Sequence, residues 1–203
     1  MAGLDVDDQA QLTSIDVIAS ALEPVVPDIG RVSSPEGAVT LMLSDIADAS
    51  AAADQLGEER WQQLLSDHHT LVAQVIAHHD GTLVRWERDG FLASFASAHA
   101  ALHAAVELQR TFTGSAPADG QDGLAVRVGV HSGFVIANPD QLLGRNVVLA
   151  SRIAAQAQGG EILVSSTLKQ YTDGDPSFRF EPRGEYHFKG VLGEHTVYAV
   201  AWR

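Results

Sequence analysis

The sequence predicts an α+β domain over residues 36–203, with a mixed, mainly antiparallel sheet flanked by helices, after an N-terminal helical appendage over 1–35. Three observations predict it. Short β-rich runs alternate with segments of helical periodicity. Several of those runs are joined by hairpin-like turns with no helix between them. At 203 residues, 45% hydrophobic and 19% charged, the chain is long enough for one well-buried core and short for two.

In the appendage the one helix candidate is 8–22, where Ile15, Ile18 and Leu22 share a face and Pro24 and Pro27 close the segment. Ala38-Val39-Thr40-Leu41-Met42-Leu43-Ser44 reads as a strand ending at Asp45. From 57 to 79, Trp61, Leu64, Leu65, Leu71, Val72, Val75 and Ile76 follow the i, i+3, i+4 rule of an amphipathic helix, which Asp80-Gly81 stops. Runs 82–87 and 91–95 flank Arg88-Asp89-Gly90 as the strands of a hairpin. Residues 97–113 form an alanine-rich helix with Ser97 as N-cap, and the Gly/Pro/Asp-rich stretch 114–123 is a surface loop. Strands 124–130 and 134–137 are joined at Ser132-Gly133, and a helix over 144–158 ends at Gly159-Gly160. Strands 162–165, 178–181, 186–189 and 196–201, with a short helix at 167–171, complete the sheet.

The net charge of −13 argues against nucleic acid as a partner, because holding a phosphate backbone needs a basic face. A small anionic ligand is compatible, since a few local cations and a metal ion can invert the field in one cleft. With no cysteine, disulfide and thiolate chemistry are excluded. The acidic start lacks the pattern of an export signal, and no run approaches a membrane span. The expectation is a soluble, cytoplasmic chain with no membrane partner. His68, His69, His78 and His79 lie on the long helix and its end; adjacent helical residues diverge by about a quarter turn, which favours solvated or packed histidines over a metal site.

Two aspartates stand at strand ends, Asp45 after the first run and Asp89 in the hairpin, 89 − 45 = 44 residues apart. Carboxylates so placed, if they converge, hold hard divalent cations against a phosphate chain; the plainer alternative is a pair of exposed turn aspartates. Six pieces follow in order: Ser44-Asp45-Ile46, Asp89-Gly90-Phe91, Val126-Arg127-Val128-Gly129-Val130-His131-Ser132-Gly133, Gly144-Arg145-Asn146-Val147-Val148-Leu149-Ala150-Ser151-Arg152, Gly160-Glu161-Ile162-Leu163-Val164-Ser165 and Phe188-Lys189-Gly190. Together they resemble the class III nucleotidyl (adenylate/guanylate) cyclase catalytic domain, and the chain looks like a divergent bacterial member.

That resemblance implies a ferredoxin-like βαββαβ sandwich and a reaction that makes 3',5'-cyclic nucleotides from nucleoside triphosphates. It implies that Asp45, Asp89 and the backbone carbonyl of Ile46 hold two Mg2+ or Mn2+ ions. It places the triphosphate against the backbone amides of Ala47, Asp48, Ala49 and Ser50 at a helix start, with Lys189 reaching the phosphates and Arg152 stabilising charge in the transition state. Arg85 and Gln141 match the base-selecting positions, and that pair spells neither adenine nor guanine. ATP is the default substrate by family frequency; GTP and a pyrimidine nucleotide stay open.

The chain also departs from the family pattern. Asp48 stands where a glycine is usual, Val148 replaces the asparagine that orients the ribose, and Trp86-Glu87-Arg88 replace a smaller triplet ending in glycine. Asn146, two residues from Val148, points elsewhere on a helix. The span 137–144 is short, as for a trimmed loop at a dimer edge. The family builds its site between two chains, so the resemblance implies a head-to-tail homodimer. A second reading of the same residues is a catalytically degenerate domain serving as a nucleotide-binding or dimerising regulator. A third, an interaction domain with no nucleotide affinity, leaves the two strand-end aspartates unexplained.

Overall fold

The computed structural model describes residues 37–114, 124–138 and 141–203. Its elements are β1 (Val39–Ile46), α1 (Ala49–Leu56), α2 (Glu58–His78), β2 (Thr82–Trp86), β3 (Gly90–Phe95), α3 (Ala98–Gly114), β4 (Val126–Gly133), β5 (Ile136–Asn138), β6 (Gln141–Leu143), α4 (Arg145–Ala154), β7 (Ile162–Ser165), α5 (Ser166–Tyr171), β8 (Arg179–Tyr186) and β9 (His195–Ala201). The helix expected at 8–22 and the loop expected after Gly114 lie outside the described residues. No described helix is long and apolar enough to cross a membrane.

Alternation along β1 sorts the domain into two faces. Met42 and Ile46 join the main core with Val72, Val75 and Ile76 of α2 and Leu102, Ala105 and Leu108 of α3. Val39 and Leu41 point the other way, packing with Val84, Leu92, Leu142 and Ala150 under α4. Asp45 shares the parity of this second set, so it emerges where the apolar stripe runs out.

Seven strands form one sheet in the order β2-β3-β1-β4-β7-β9-β8. Its first four strands, with α1, α2 and α3 between them, are the ferredoxin-like βαββαβ unit the resemblance implied. All pairings are antiparallel except β4 with β7, which α4 joins as a crossover. Alanines at 101, 104 and 105 let α3 sit close to the sheet, and Ser97 Oγ accepts the Ala100 N–H at 3.3 Å, as expected of its N-cap.

Three expectations are corrected. Ser132-Gly133 does not turn the chain: β4 runs through both residues, and β5 pairs with β6 in a separate two-stranded ribbon. Both edges of β4 are already taken, by β1 and β7, so β5 has no edge there to join. The strands expected at 178–181 and 186–189 are one bulged strand, β8, whose register shifts between Pro182 and Gly184. It lies at the sheet edge, where a proline costs no ladder bond. The helix expected over 144–158 stops at Ala154, and the Glu161 carboxylate accepts the Gln158 N–H at 2.7 Å in the turn that follows.

Close approach of backbones sets the position of α4. A Cβ on Gly129 would fall 2.4 Å from the Ala154 nitrogen, so the end of α4 rests directly on β4.

Candidate active site

Asp45 is in register with Gly90 of β3 on one side and Arg127 of β4 on the other. The β2–β3 turn is tied to it by backbone bonds: Ile46 N–H donates to Asp89 O and Glu87 N–H to Gly90 O, each at 2.9 Å. A Cβ at Gly90 would lie 1.8 Å from Ser44 O, so only glycine permits this approach. The turn therefore holds Asp89 beside Asp45. Arg88 needs no glycine conformation, because Asp48 and Asp80 alone among the described non-glycine residues have positive φ. Trp86, bulky for its place, turns inward and stacks on His69 with centroids 4.0 Å apart.

Burial raises the pKa of Asp45, Arg127 opposes that rise, and the charge of Asp89 adds to it. The two carboxylates thus sense each other. Arg127 Nε donates to Asp45 Oδ1 at 2.5 Å. No role was assigned to Arg127 from sequence, although a signal existed. Val126, Val128 and Val130 lie in the main core, so Arg127 between them must face the Asp45 side.

Asp45 and Asp89 line a cleft of about 590 Å³ whose walls also include Arg85, Glu87, Val148 and Arg152. Its ionisable lining, Asp45, Glu87 and Asp89 against Arg85 and Arg152, sums to −1. A phosphate chain would be repelled by that lining unless cations joined it. Two oxygen-donor carboxylates held side by side fit hard divalent ions such as Mg2+ or Mn2+. Ile46 lies between them in the chain, its side chain in the core and its N–H given to Asp89.

The structure brings some of the other expected residues to this cleft and leaves some away. Arg85 lines it, with Nε donating to Glu87 Oε1 at 2.8 Å. Arg152 lines it too, with Nε donating to the Lys189 carbonyl at 3.3 Å. Lys189 is exposed in the loop after β8, and its side chain is not part of the cleft wall. Gln141 stands on β6, its backbone in register with Asn138.

Of the four amides expected to cradle phosphate, that of Ala47 is taken, donating to Ala125 O at 2.7 Å. Asp48 is the N-cap of α1, left-handed at φ 54 and ψ 32, and its exposed side chain makes no capping bond. That conformation explains why a glycine suits the position. Ala49 and Ser50 open α1, where N–H groups have no intrahelical acceptor.

Beneath the start of α4 lies a chain of hydrogen bonds, buried at His131 and Ser165, that sequence reasoning missed. Asn146 Nδ2 donates to Phe134 O at 2.7 Å, leaving its Oδ1 to accept from His131 Nε2 at 3.1 Å. His131 Nδ1 then accepts from Ser165 Oγ at 2.8 Å, and Ser165 Oγ accepts the Leu168 N–H. The set is complete with a neutral imidazole, and burial lowers the His131 pKa accordingly. Asn146 does point away from the cleft, and it orients the helix bearing Val148 and Arg152.

The sequence profile described as the adenylate and guanylate cyclase catalytic domain matches residues 32–201. The chain belongs to this family. An uncharacterised protein of Mycobacterium tuberculosis is 30% identical over 141 residues, 68% of this chain and 46% of that protein. The putative adenylate cyclase 3 of Rhizobium meliloti is 28% identical over 164 residues, 76% of this chain and 28% of that protein. This cyclase domain therefore spans less than half the length of either relative. Among solved structures, the adenylyl cyclase CyaB from P. aeruginosa superposes with a TM-score of 0.73 at 20% identity, covering 81% of this chain and 93% of that one. The guanylate cyclase domain of RhGC from Catenaria anguillulae, in complex with GTP, gives 0.70 at 22%, covering 81% and 96%. At such identities the likeness shows the class III fold alone.

Proposed function

We propose that residues 36–203 are a catalytic domain that converts a nucleoside triphosphate, ATP by default, into the 3',5'-cyclic nucleotide and pyrophosphate. The reading includes a head-to-tail homodimer in the cytoplasm, with 1–35 as an appendage. One observation supports it above others: Asp45 and Asp89 converge on one cleft.

When bound by Asp45, Asp89 and the Ile46 carbonyl, two Mg2+ or Mn2+ ions supply activation of the ribose 3'-hydroxyl and neutralisation of the leaving pyrophosphate. The 3'-oxygen attacks the α-phosphorus as the bond to the β-phosphate oxygen breaks. The amides opening α1 orient the triphosphate, Lys189 approaches it from the loop after β8, and the Arg152 fork meets charge growing on the α-phosphoryl oxygens. Arg85 with its Glu87 partner, and Gln141, meet the base. In the dimer, Arg152 completes the site of the partner subunit. An exposed apolar face formed by Phe134, Ile136, Leu143 and Val148 supports a second copy beside α4.

Product formation from each of the four triphosphates with Mn2+ tests the reaction; a dimeric preparation making none overturns it. Mixing Asp45→Asn and Arg152→Ala chains tests the assembly. Recovered activity is expected if one protomer supplies the aspartates and its partner the arginine. Val148 motivates the second reading, a binding module without turnover, because an exposed apolar side chain offers the ribose no hydrogen bond. Metal-dependent triphosphate binding with no product would favour it.

A further inference from the structure

We propose a second metal site, for a borderline transition ion such as Zn2+, formed by His78, His79 and Glu107. It lies outside the cleft described above and rests on none of the functional reading. One ligand atom from each of these residues lies within 4.8 Å of the others, and no other three His, Asp or Glu side chains among the described residues do so. His79 Nε2 and Glu107 Oε2 are 2.7 Å apart in a hydrogen bond, and the two imidazoles meet edge to face with centroids 5.1 Å apart.

Adjacent histidines inside a helix diverge, but this pair straddles the end of one. His78 is the last residue of α2, and His79 is its C-cap with φ −100 and ψ 27. Leaving helical geometry frees the second ring to approach Glu107 on α3. Two imidazoles and a carboxylate are a donor set suited to zinc, whereas the all-oxygen pair Asp45 and Asp89 suits magnesium or manganese. Tetrahedral ligation with bonds of about 2.0–2.1 Å separates ligand atoms by about 3.4 Å, so small side-chain shifts close the site around an ion and a water. His78 is exposed and offers an entry path, while His79 and Glu107 are partly buried. Only Asp80 and Gly81 separate His79 from β2, which bears Arg85 and leads to Asp89. The ion would pin α2 to α3 at the root of that hairpin.

The test uses the full chain freed of any histidine tag, titrated with Zn2+ by calorimetry under excess Mg2+, and with Co2+ followed by its visible absorption. One Zn2+ per chain and the spectrum of a four-coordinate Co2+ site are expected. Affinity should fall at least tenfold in His78→Ala and in Glu107→Gln, and persist in the Asp45→Asn/Asp89→Asn double variant. Absence of Zn2+ binding, unchanged affinity in His78→Ala and Glu107→Gln, or loss of binding in the aspartate double variant would overturn the site. His78 is exposed, so His78→Ala keeps the test valid if changes at His79 impair folding.

Discussion

Asp45, which lines the cleft, and Arg127, opposite each other on β1 and β4, form an ion pair of 2.5 Å, each side chain about one-third exposed. The guanidinium occupies a carboxylate oxygen that a divalent ion also needs. It also offsets the burial that raises the Asp45 pKa, so it both prepares this ligand and competes for it.

Replacing Arg127 by alanine separates those two effects. At about pH 8, well above the ordinary carboxylate range, removing the competitor should tighten Mn2+ binding in the absence of nucleotide by roughly fivefold, about 1 kcal/mol for a pair this exposed. Turnover should fall because the carboxylate loses its orientation. Mn2+ titration by electron paramagnetic resonance checks the first effect; weaker binding in the variant contradicts it.

Val148 is exposed at the cleft, so Val148→Asn should fold normally and add a ribose hydrogen bond. A bond made in the transition state is worth about 1.5–3 kcal/mol, which raises kcat roughly ten- to hundredfold. Initial rates of cyclic product formation measure it. An unchanged rate would mean that α4 does not place this position at the ribose.

Asp48 holds a left-handed conformation with no capping bond to offset its cost. Asp48→Gly relieves that strain and removes a negative charge near the expected phosphate track. A gain of about 0.5–1 kcal/mol is expected, raising Tm by roughly 1–4 °C, together with tighter triphosphate binding. A thermal melt that falls would show that the loss of glycine's unfolded-state entropy dominates.

His68 is buried against Phe112, centroids 4.9 Å apart, with no hydrogen-bond partner on either nitrogen, and desolvation lowers its pKa to about 4. Below its ordinary value of 6.5 the unfolded chain takes up a proton that the folded chain resists. Stability from this group is therefore full above about pH 6.5 and is lost as the pH falls toward 4, by up to about 3 kcal/mol. His69 and His131 shift in the same direction. His68→Phe, which keeps the aromatic stack, should flatten the fall of Tm across that range. An equally steep fall would assign the acid sensitivity to the other two.

What the sequence by itself determined is local and periodic. An apolar run placed β1, helical spacing placed α2, and alanine content with a serine cap placed α3. The order of short motifs marked Asp45 and Asp89 as a pair, and the structure puts both on one cleft. Alternation along 126–130 sets Arg127 on the face opposite Val126, Val128 and Val130.

Only the tertiary structure decided which partners meet across the chain. Asp45 and Arg127 are 82 residues apart, and their ion pair depends on the register of β1 with β4. Whether Pro182 ends a strand or sits in a bulge depends on β8 having a free edge, which is a property of the finished sheet. The fate of β5 likewise turned on both flanks of β4 being occupied. His131 and Asn146 reveal their shared network only once α4 is laid on the sheet, where Gly129 lets it settle. Periodicity acts between neighbours and can be read from them; pairing and burial depend on segments that meet only after the chain has closed.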